Sequence, residues 1–311
     1  MTNPLLPFLE RQGVLILDGG LATELEARGC DLDDELWSAR LLMDDPELIR
    51  QVHLDYLRAG ADCIVSASYQ ATREGFERCG SSRGQAVDLL RSSVRLAIET
   101  RDSFWEFPAN RSGRVKPIVA ASVGPYGAYL ADGSEYRGDY DLERAELRRF
   151  HGDRWLVLAE SGADLLACET IPSREEALAL LALLHETPHV CAWFSFSCMD
   201  GERLNDGTRL TDVIEVLSEA DQVVALGVNC TPPKFVPSLI ARARDVTDKP
   251  IVVYPNSGET FEADGKRWLQ SGMATPFGEA SVAWRSLGAS MIGGCCRTGP
   301  SDIGDIRGHL L

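Results

Sequence analysis

Eight short apolar runs, each followed by a stretch of helical periodicity, constrain this chain more than any other feature. The runs are Val14–Leu17, Cys63–Ala67, Ile118–Val123, Leu165–Cys168, Val190–Phe196, Val223–Val228, Ile251–Tyr254 and Ser290–Ile292. Most are continuous rather than alternating, as expected of parallel strands covered on both faces. Between them, Pro46–Ala59 places Leu48, Ile49, Val52, Tyr56 and Leu57 on one helical face, and Gln85–Thr100 does the same with Leu89, Leu90, Ala97 and Ile98. Asp141–Ser161 reads as an amphipathic helix ending at Gly162, and Ser173 followed by Glu176 reads as a capping box before Ala177–Leu184. Pro237–Arg244 and Phe277–Leu287 supply two more helices. Eight strand–helix alternations predict an α/β fold, a (β/α)8 barrel; a doubly wound sheet is the main rival. No composition shift, low-complexity tract or short repeat divides the 311 residues, so one barrel domain over residues 1–311 is expected. Phe104–Lys116 and Asn256–Thr275 read as irregular excursions.

Charge narrows the choice of partners. The formal net charge is −16, which repels phosphate backbones and anionic membranes, so no nucleic-acid or membrane partner is expected. Residues Met1–Gln12 lack a basic start followed by an apolar run, and no stretch reaches the roughly 18 apolar residues of a membrane-spanning helix. These observations lead to the expectation of a cytoplasmic protein. Its nine cysteines are then free thiols or metal ligands rather than a disulfide framework.

In a barrel the carboxyl ends of the strands share one mouth, where chemistry sits. The run ends carry Asp18-Gly19-Gly20, Ser68-Tyr69-Gln70, Gly124-Pro125-Tyr126-Gly127, Glu169-Thr170, Ser197-Cys198, Asn229-Cys230, Pro255-Asn256-Ser257 and Gly293-Gly294-Cys295-Cys296. Turn residues account for the glycines and serines, but less well for three cysteines after runs six and eight. Alternate strands feed the same layer of a barrel interior, so Cys230 can meet Cys295 and Cys296 across strand seven. Adjacent cysteines rarely bond to each other, because the geometry is strained. Three sulfur ligands on zinc leave a fourth position open, the pattern of a catalytic site. Free core thiols are the alternative. Cys63, Cys168 and Cys191 lie within or beside apolar runs and read as core; Cys30, Cys79 and Cys198 have no evident partner.

A metal with three thiolates is a poor Lewis acid for splitting water but suits an incoming thiol, which coordination deprotonates. Such a thiolate can attack a methyl carbon on a sulfonium or ammonium. For an amino-acid thiol, Asp18 and Glu169 can pair the ammonium, and backbone N–H groups around Gly19 and Gly20 can take the carboxylate. Tyr69, Tyr126, Trp37 and Tyr254 are candidates for a cation–π wall, worth about 0.5–2 kcal/mol per contact. None of the histidines shows ligand spacing.

The motifs carry a family resemblance over nearly the whole chain. Leu17 to Glu26, Leu36-Trp37-Ser38-Ala39, Ser68-Tyr69-Gln70-Ala71, Glu169-Thr170-Ile171-Pro172, Gly227-Val228-Asn229-Cys230, Tyr254 to Glu259 and Gly293-Gly294-Cys295-Cys296-Arg297 together resemble the homocysteine S-methyltransferase family, in particular its short bacterial and plant type that uses S-methylmethionine. The resemblance implies a (β/α)8 barrel and one Zn2+ on Cys230, Cys295 and Cys296. It implies that homocysteine sulfur takes the open position and that the donor is S-methylmethionine or S-adenosylmethionine. Asp18 and Glu169 match acidic positions that contact the amino acid, and Asn229 matches a position that shapes the site. Ser66, Ser68 and Gly299 depart from common family residues, which bears on donor preference. Two rivals remain: a barrel enzyme acting on a phosphorylated small molecule, with Gly293-Gly294 as a phosphate site, and a non-catalytic zinc- or thiol-binding protein.

Overall fold

The computed structural model describes residues 2–32, 36–258, 260–262, 267–269 and 276–311. Eight parallel strands form one sheet: Leu15–Ile16, Cys63–Val65, Ile118–Val123, Leu165–Ile171, Ala192–Phe196, Val223–Asn229, Ile251–Tyr254 and Ala289–Ile292. Along the sheet they run first, eighth, seventh, sixth, fifth, fourth, third, second. A parallel bridge between Leu17 and Cys63 joins the first strand to the second, and Asp18 N–H donates to the Cys63 carbonyl at 3.1 Å. The sheet therefore curls into a barrel, and the doubly wound alternative falls away.

Side-chain alternation builds two layers. Leu15, Leu17, Cys63, Ala120, Leu165, Ala167, Trp193, Ala225, Val252 and Met291 point inward and pack together, with Leu5 and Phe8 closing the amino-terminal end. The neighbouring residues, such as Ile16, Ile64, Val119, Leu166, Phe194 and Val253, face the helices. Cys63 and Cys191 sit in the inner cluster, Cys168 and Cys198 in the outer one, so all four are core thiols.

The expected helices form with shifted ends. Pro46–Ala59 matches, opened by the Asp45 carboxylate accepting from Leu48 N–H at 3.2 Å. The second helix is longer than expected, Arg83–Glu106, because a Ser82–Gln85 capping box starts it earlier. The third is shorter, Arg144–Ala159. Ser173 caps Arg174–Glu186 through Glu176 N–H at 3.3 Å, yet the expected capping box is only half made. The Glu176 side chain turns inward to Tyr126 N–H and His151 instead. The two excursions are more regular than expected. The first contains a short 3-10 helix, Pro108–Arg111, and the second an antiparallel pair, Thr260–Glu262 with Arg267–Leu269. Runs of three residues are too short to reveal a period in sequence. Among the described residues no helix is long and apolar enough to cross a membrane.

Candidate metal centre and active site

Strand seven is the template that brings the three cysteines together. Cys230 N–H, just past strand six, donates to the Tyr254 carbonyl at 3.1 Å, and Cys295 N–H, past strand eight, donates to the Pro255 carbonyl at 2.9 Å. Thr298 closes the turn beyond by donating from its N–H and Oγ1 to the Cys295 carbonyl at 3.2 and 2.6 Å. Glycine is required where this turn meets the first loop: a Cβ on Gly20 would lie 2.6 Å from the Cys295 carbonyl oxygen.

The three Sγ atoms all lie within 4.8 Å of one another, and Cys230 Sγ is 3.4 Å from Cys296 Sγ. Two sulfurs about 2.3 Å from one tetrahedral ion would be about 3.8 Å apart, so the donor set and spacing fit such an ion. Hydrogen bonds from Cys295 and Cys296 hold the Cys230 thiol well below the ordinary thiol range, and their bonds to Cys230 push both of those thiols up. Sharing of protons within the trio is what a closely packed set of thiols does before a cation replaces them.

Two residues that sequence reasoning missed belong to this cluster. The Tyr136 hydroxyl lies 3.2 Å from Cys230 Sγ and 4.0 Å from Cys296 Sγ. Its neighbour Glu135 lines the same pocket, and its Oε2 is buried with no hydrogen-bond partner among the described residues. Burial raises the Glu135 carboxyl to about 7. Both sit on a 3-10 turn, Ser134–Tyr136, about a dozen residues beyond strand three. No run end marks that turn in sequence; a Glu-Tyr pair inside a polar loop offers no periodic signal.

Asn229 braces the site from beside the first cysteine. Its Oδ1 accepts from Thr170 N–H and its Nδ2 donates to Thr170 Oγ1, both at 2.7 Å, with Cys295 Sγ 3.9 Å from Nδ2. That clamp holds Thr170 at φ 58°. Cys230 at φ 46° and Trp37 at φ 47° share this left-handed region, and all three line the pocket. Such backbone costs about 1–3 kcal/mol per residue and collects at functional sites.

The rest of the pocket is acidic and aromatic. Asp18, Glu26, Glu135 and Glu169 line it, and among the described lining residues there is no Lys or Arg. This lining disfavours a phosphorylated substrate. Asp18 Oδ2 accepts from Val65 N–H at 2.8 Å, and burial followed by the nearby Glu169 raises its carboxyl well above the usual range. Burial also raises Glu169 to about 7. Its oxygens accept from the Ser122 hydroxyl and from Tyr254 OH, the latter at 3.1 Å. Inward alternation from Leu165 through Ala167 places Glu169 on the interior face. Tyr69 and Trp37 form an edge-to-face pair at 6.4 Å on the pocket wall.

Some expected assignments change. Tyr126 does not line the pocket; its ring packs against Tyr129, Tyr140 and Phe150 at 4.8–5.8 Å, because the helix Tyr126–Leu130 turns it outward. Tyr254 lines the pocket, but its hydroxyl is bound to Glu169, Trp193 and Ser195, so it acts as a brace. Gly19 and Gly20 both line the pocket, though Gly20 N–H already donates to the Thr298 carbonyl at 3.0 Å. Glu259, part of the motif after strand seven, lies outside the described residues.

Comparison with known proteins agrees with this geometry. A family model described as homocysteine S-methyltransferase matches residues 15–310. The chain is 52% identical over 304 residues to homocysteine S-methyltransferase YbgG of Bacillus subtilis (strain 168), covering 98% of this chain and 96% of the relative. Identity to the homocysteine S-methyltransferase of Escherichia coli (strain K12) is 49% over 307 residues, 98% of each. Among solved structures, the metallated form of the homocysteine methyltransferase MmuM from Escherichia coli matches with TM-score 0.88 at 46% identity, covering 98% of this chain and 99% of that one.

Proposed function

The chain belongs to the homocysteine S-methyltransferase family, and from that premise we propose that it uses S-methylmethionine as methyl donor, S-adenosylmethionine as a second one, and a zinc ion held by Cys230, Cys295 and Cys296. The reaction is methyl transfer to the thiol of homocysteine, giving methionine. The methyl carbon gains a bond to the homocysteine sulfur and loses its bond to the donor sulfur. The electron pair of the broken bond stays with the donor sulfur, so a sulfonium becomes a neutral thioether, and the thiol proton passes to solvent. With S-methylmethionine, both products are methionine.

The sulfur trio carries the zinc reading. Bound there, zinc would supply a soft cation that keeps the homocysteine sulfur as thiolate at neutral pH, where a free thiol is mostly protonated. The chain's own residues do the rest. The unpartnered Glu135 oxygen and the Asp18 carboxylate receive the homocysteine ammonium, and Glu169, fixed by Ser122 and Tyr254, adds negative potential behind them. The Gly19 N–H and the first N–H groups of the helix Leu21–Ala27 face the carboxylate, while the Gly20 N–H holds the turn to Thr298. Tyr136 hydrogen-bonds Cys230 and limits where a fourth sulfur can sit. Trp37 and Tyr69 offer aromatic surface to the sulfonium.

The decisive experiment pairs metal analysis with a donor screen. Wild-type protein is expected to carry about one zinc per chain and to make methionine fastest from S-methylmethionine. Cys230→Ser should lose metal and turnover together. Full turnover by a folded Cys230→Ser variant without metal would refute the assignment.

A further inference from the structure

Behind the pocket lies a chain of buried polar groups that the reaction does not use. Arg154 and His151, on the helix Arg144–Ala159, and Glu176, on the helix Arg174–Glu186, are all at most 2% exposed. Arg154 Nη2 and Nε lie 2.8 and 3.2 Å from His151 Nδ1. A guanidinium can only donate, so Nδ1 accepts and the imidazole proton sits on Nε2. Nε2 in turn donates to Glu176 Oε1 at 2.8 Å. Burial and the neighbouring Arg154 keep the imidazole neutral. The two ends of this chain hold backbone rather than side chains. Arg154 Nη2 donates to the Gly124 carbonyl, and Glu176 Oε1 accepts from Tyr126 N–H at 2.6 Å.

Gly124 and Tyr126 open the excursion that follows strand three, and both lead directly into the pocket wall. A Cβ on Gly124 would stand 2.4 Å from the Tyr69 carbonyl and 2.7 Å from its ring. A Cβ on Gly127 would stand 2.3 Å from Glu135 N. The backbone pinned by Arg154 therefore touches Tyr69, and the backbone pinned by Glu176 touches the turn that presents Glu135 and Tyr136. Burying such groups costs free energy that their mutual hydrogen bonds and those to the backbone offset, so each end of the chain holds its backbone partner firmly.

We propose that Arg154, His151 and Glu176 are positioning residues that set residues 124–136 against the barrel mouth and so fix Glu135, Tyr136 and Tyr69 for methyl transfer. This rests on the reading that Glu135 and Tyr136 face the substrates. The test compares Glu176→Ala and Glu176→Asp, which break the bond to Tyr126 N–H, with Glu176→Gln, whose Oε1 keeps it. Each variant is assayed below its melting temperature for zinc content, for kcat and KM, and for amide exchange over residues 124–136. The first two are expected to keep their zinc, lose about tenfold or more in kcat/KM, and exchange faster in that segment alone; Glu176→Gln should stay within about threefold. If Glu176→Ala does not fold, Glu176→Asp carries the comparison. Unchanged kcat/KM in either folded variant, faster exchange throughout the barrel, or a Glu176→Gln defect as large as that of Glu176→Ala would overturn the proposal. Glu135→Gln and Tyr136→Phe separate the two readings. If they leave kcat/KM for homocysteine intact, the site assignment fails; if they lower it while the Glu176 variants do not, positioning fails.

Discussion

Single atoms decide how the pocket tells its substrates apart. Asp18 and Glu169 are already hydrogen-bonded, whereas Glu135 keeps one buried oxygen without a partner among the described residues. An ammonium placed there gains a charge-assisted hydrogen bond, worth about 1.5–3 kcal/mol. Glu135→Gln should therefore raise the KM for homocysteine by about tenfold or more, with a much smaller change in kcat at saturation. Steady-state kinetics with the donor in excess measures this, and an unaltered KM would remove Glu135 from the amino-acid subsite. On the aromatic wall that Trp37 shares with Tyr69, Trp37→Leu removes an aromatic face worth about 0.5–2 kcal/mol to a cation. Its effect should fall on the sulfonium donor, raising that KM severalfold while the homocysteine KM holds. The acidic run ends Asp18 and Glu169 were legible because they follow apolar runs directly. Glu135 and Tyr136 were not, because a loop residue's neighbours in space are set by how the loop folds back.

Elements place these atoms, and their ends matter most. The helix Arg174–Glu186 starts at Ser173, whose Oγ accepts from Glu176 N–H, so the cap also fixes the backbone of a positioning residue. The helix Pro46–Ala59 uses Asp45 in the same way, and Asp45 is not among the residues that line the pocket. Asp45→Ala should cost about 1 kcal/mol of stability, within the usual 0.5–2 kcal/mol for a lost cap, with kcat/KM unchanged. Denaturant unfolding checks the first and the standard assay the second. A shift of several kcal/mol would mean that Asp45 does more than cap. Strand four shows why boundaries shifted between sequence and structure. Its apolar run ends at Cys168, yet ladder bonding continues to Ile171 because the polar Glu169 turns into the site rather than out to solvent. Local composition marks a polar residue as a strand end, and only the pocket makes it a strand interior.

Across the whole molecule, acid stability offers a test of the core. His53 is 1% exposed, neither ring nitrogen has a partner among the described residues, and burial lowers its pKa from 6.5 to about 4. The unfolded chain therefore binds a proton between about pH 6.5 and 4 that the folded chain refuses. The stability of this neutral imidazole is present above 6.5 and lost as pH falls toward 4, on the order of 3 kcal/mol in total. His53→Leu, which sacrifices no hydrogen bond, should gain stability relative to wild type as pH drops through that window. Parallel unfolding curves at pH 7 and pH 4.5 with no such divergence would mean that His53 is hydrated or charged in the fold. The alternation of apolar runs and helices was legible in the sequence alone and pointed to a barrel over its doubly wound rival; the Leu17–Cys63 bridge that closes the sheet was decided by the tertiary structure. The cysteine trio was also legible, because run ends share one mouth whatever the loops do. Only the tertiary structure decided which aromatic rings face that mouth, that Tyr126 turns away, and that Glu135 and Tyr136 enter it. Those choices depend on contacts between segments far apart in the chain, such as Gly127 against Glu135 and Glu176 against Tyr126, and no local pattern of residues encodes a distance of that kind.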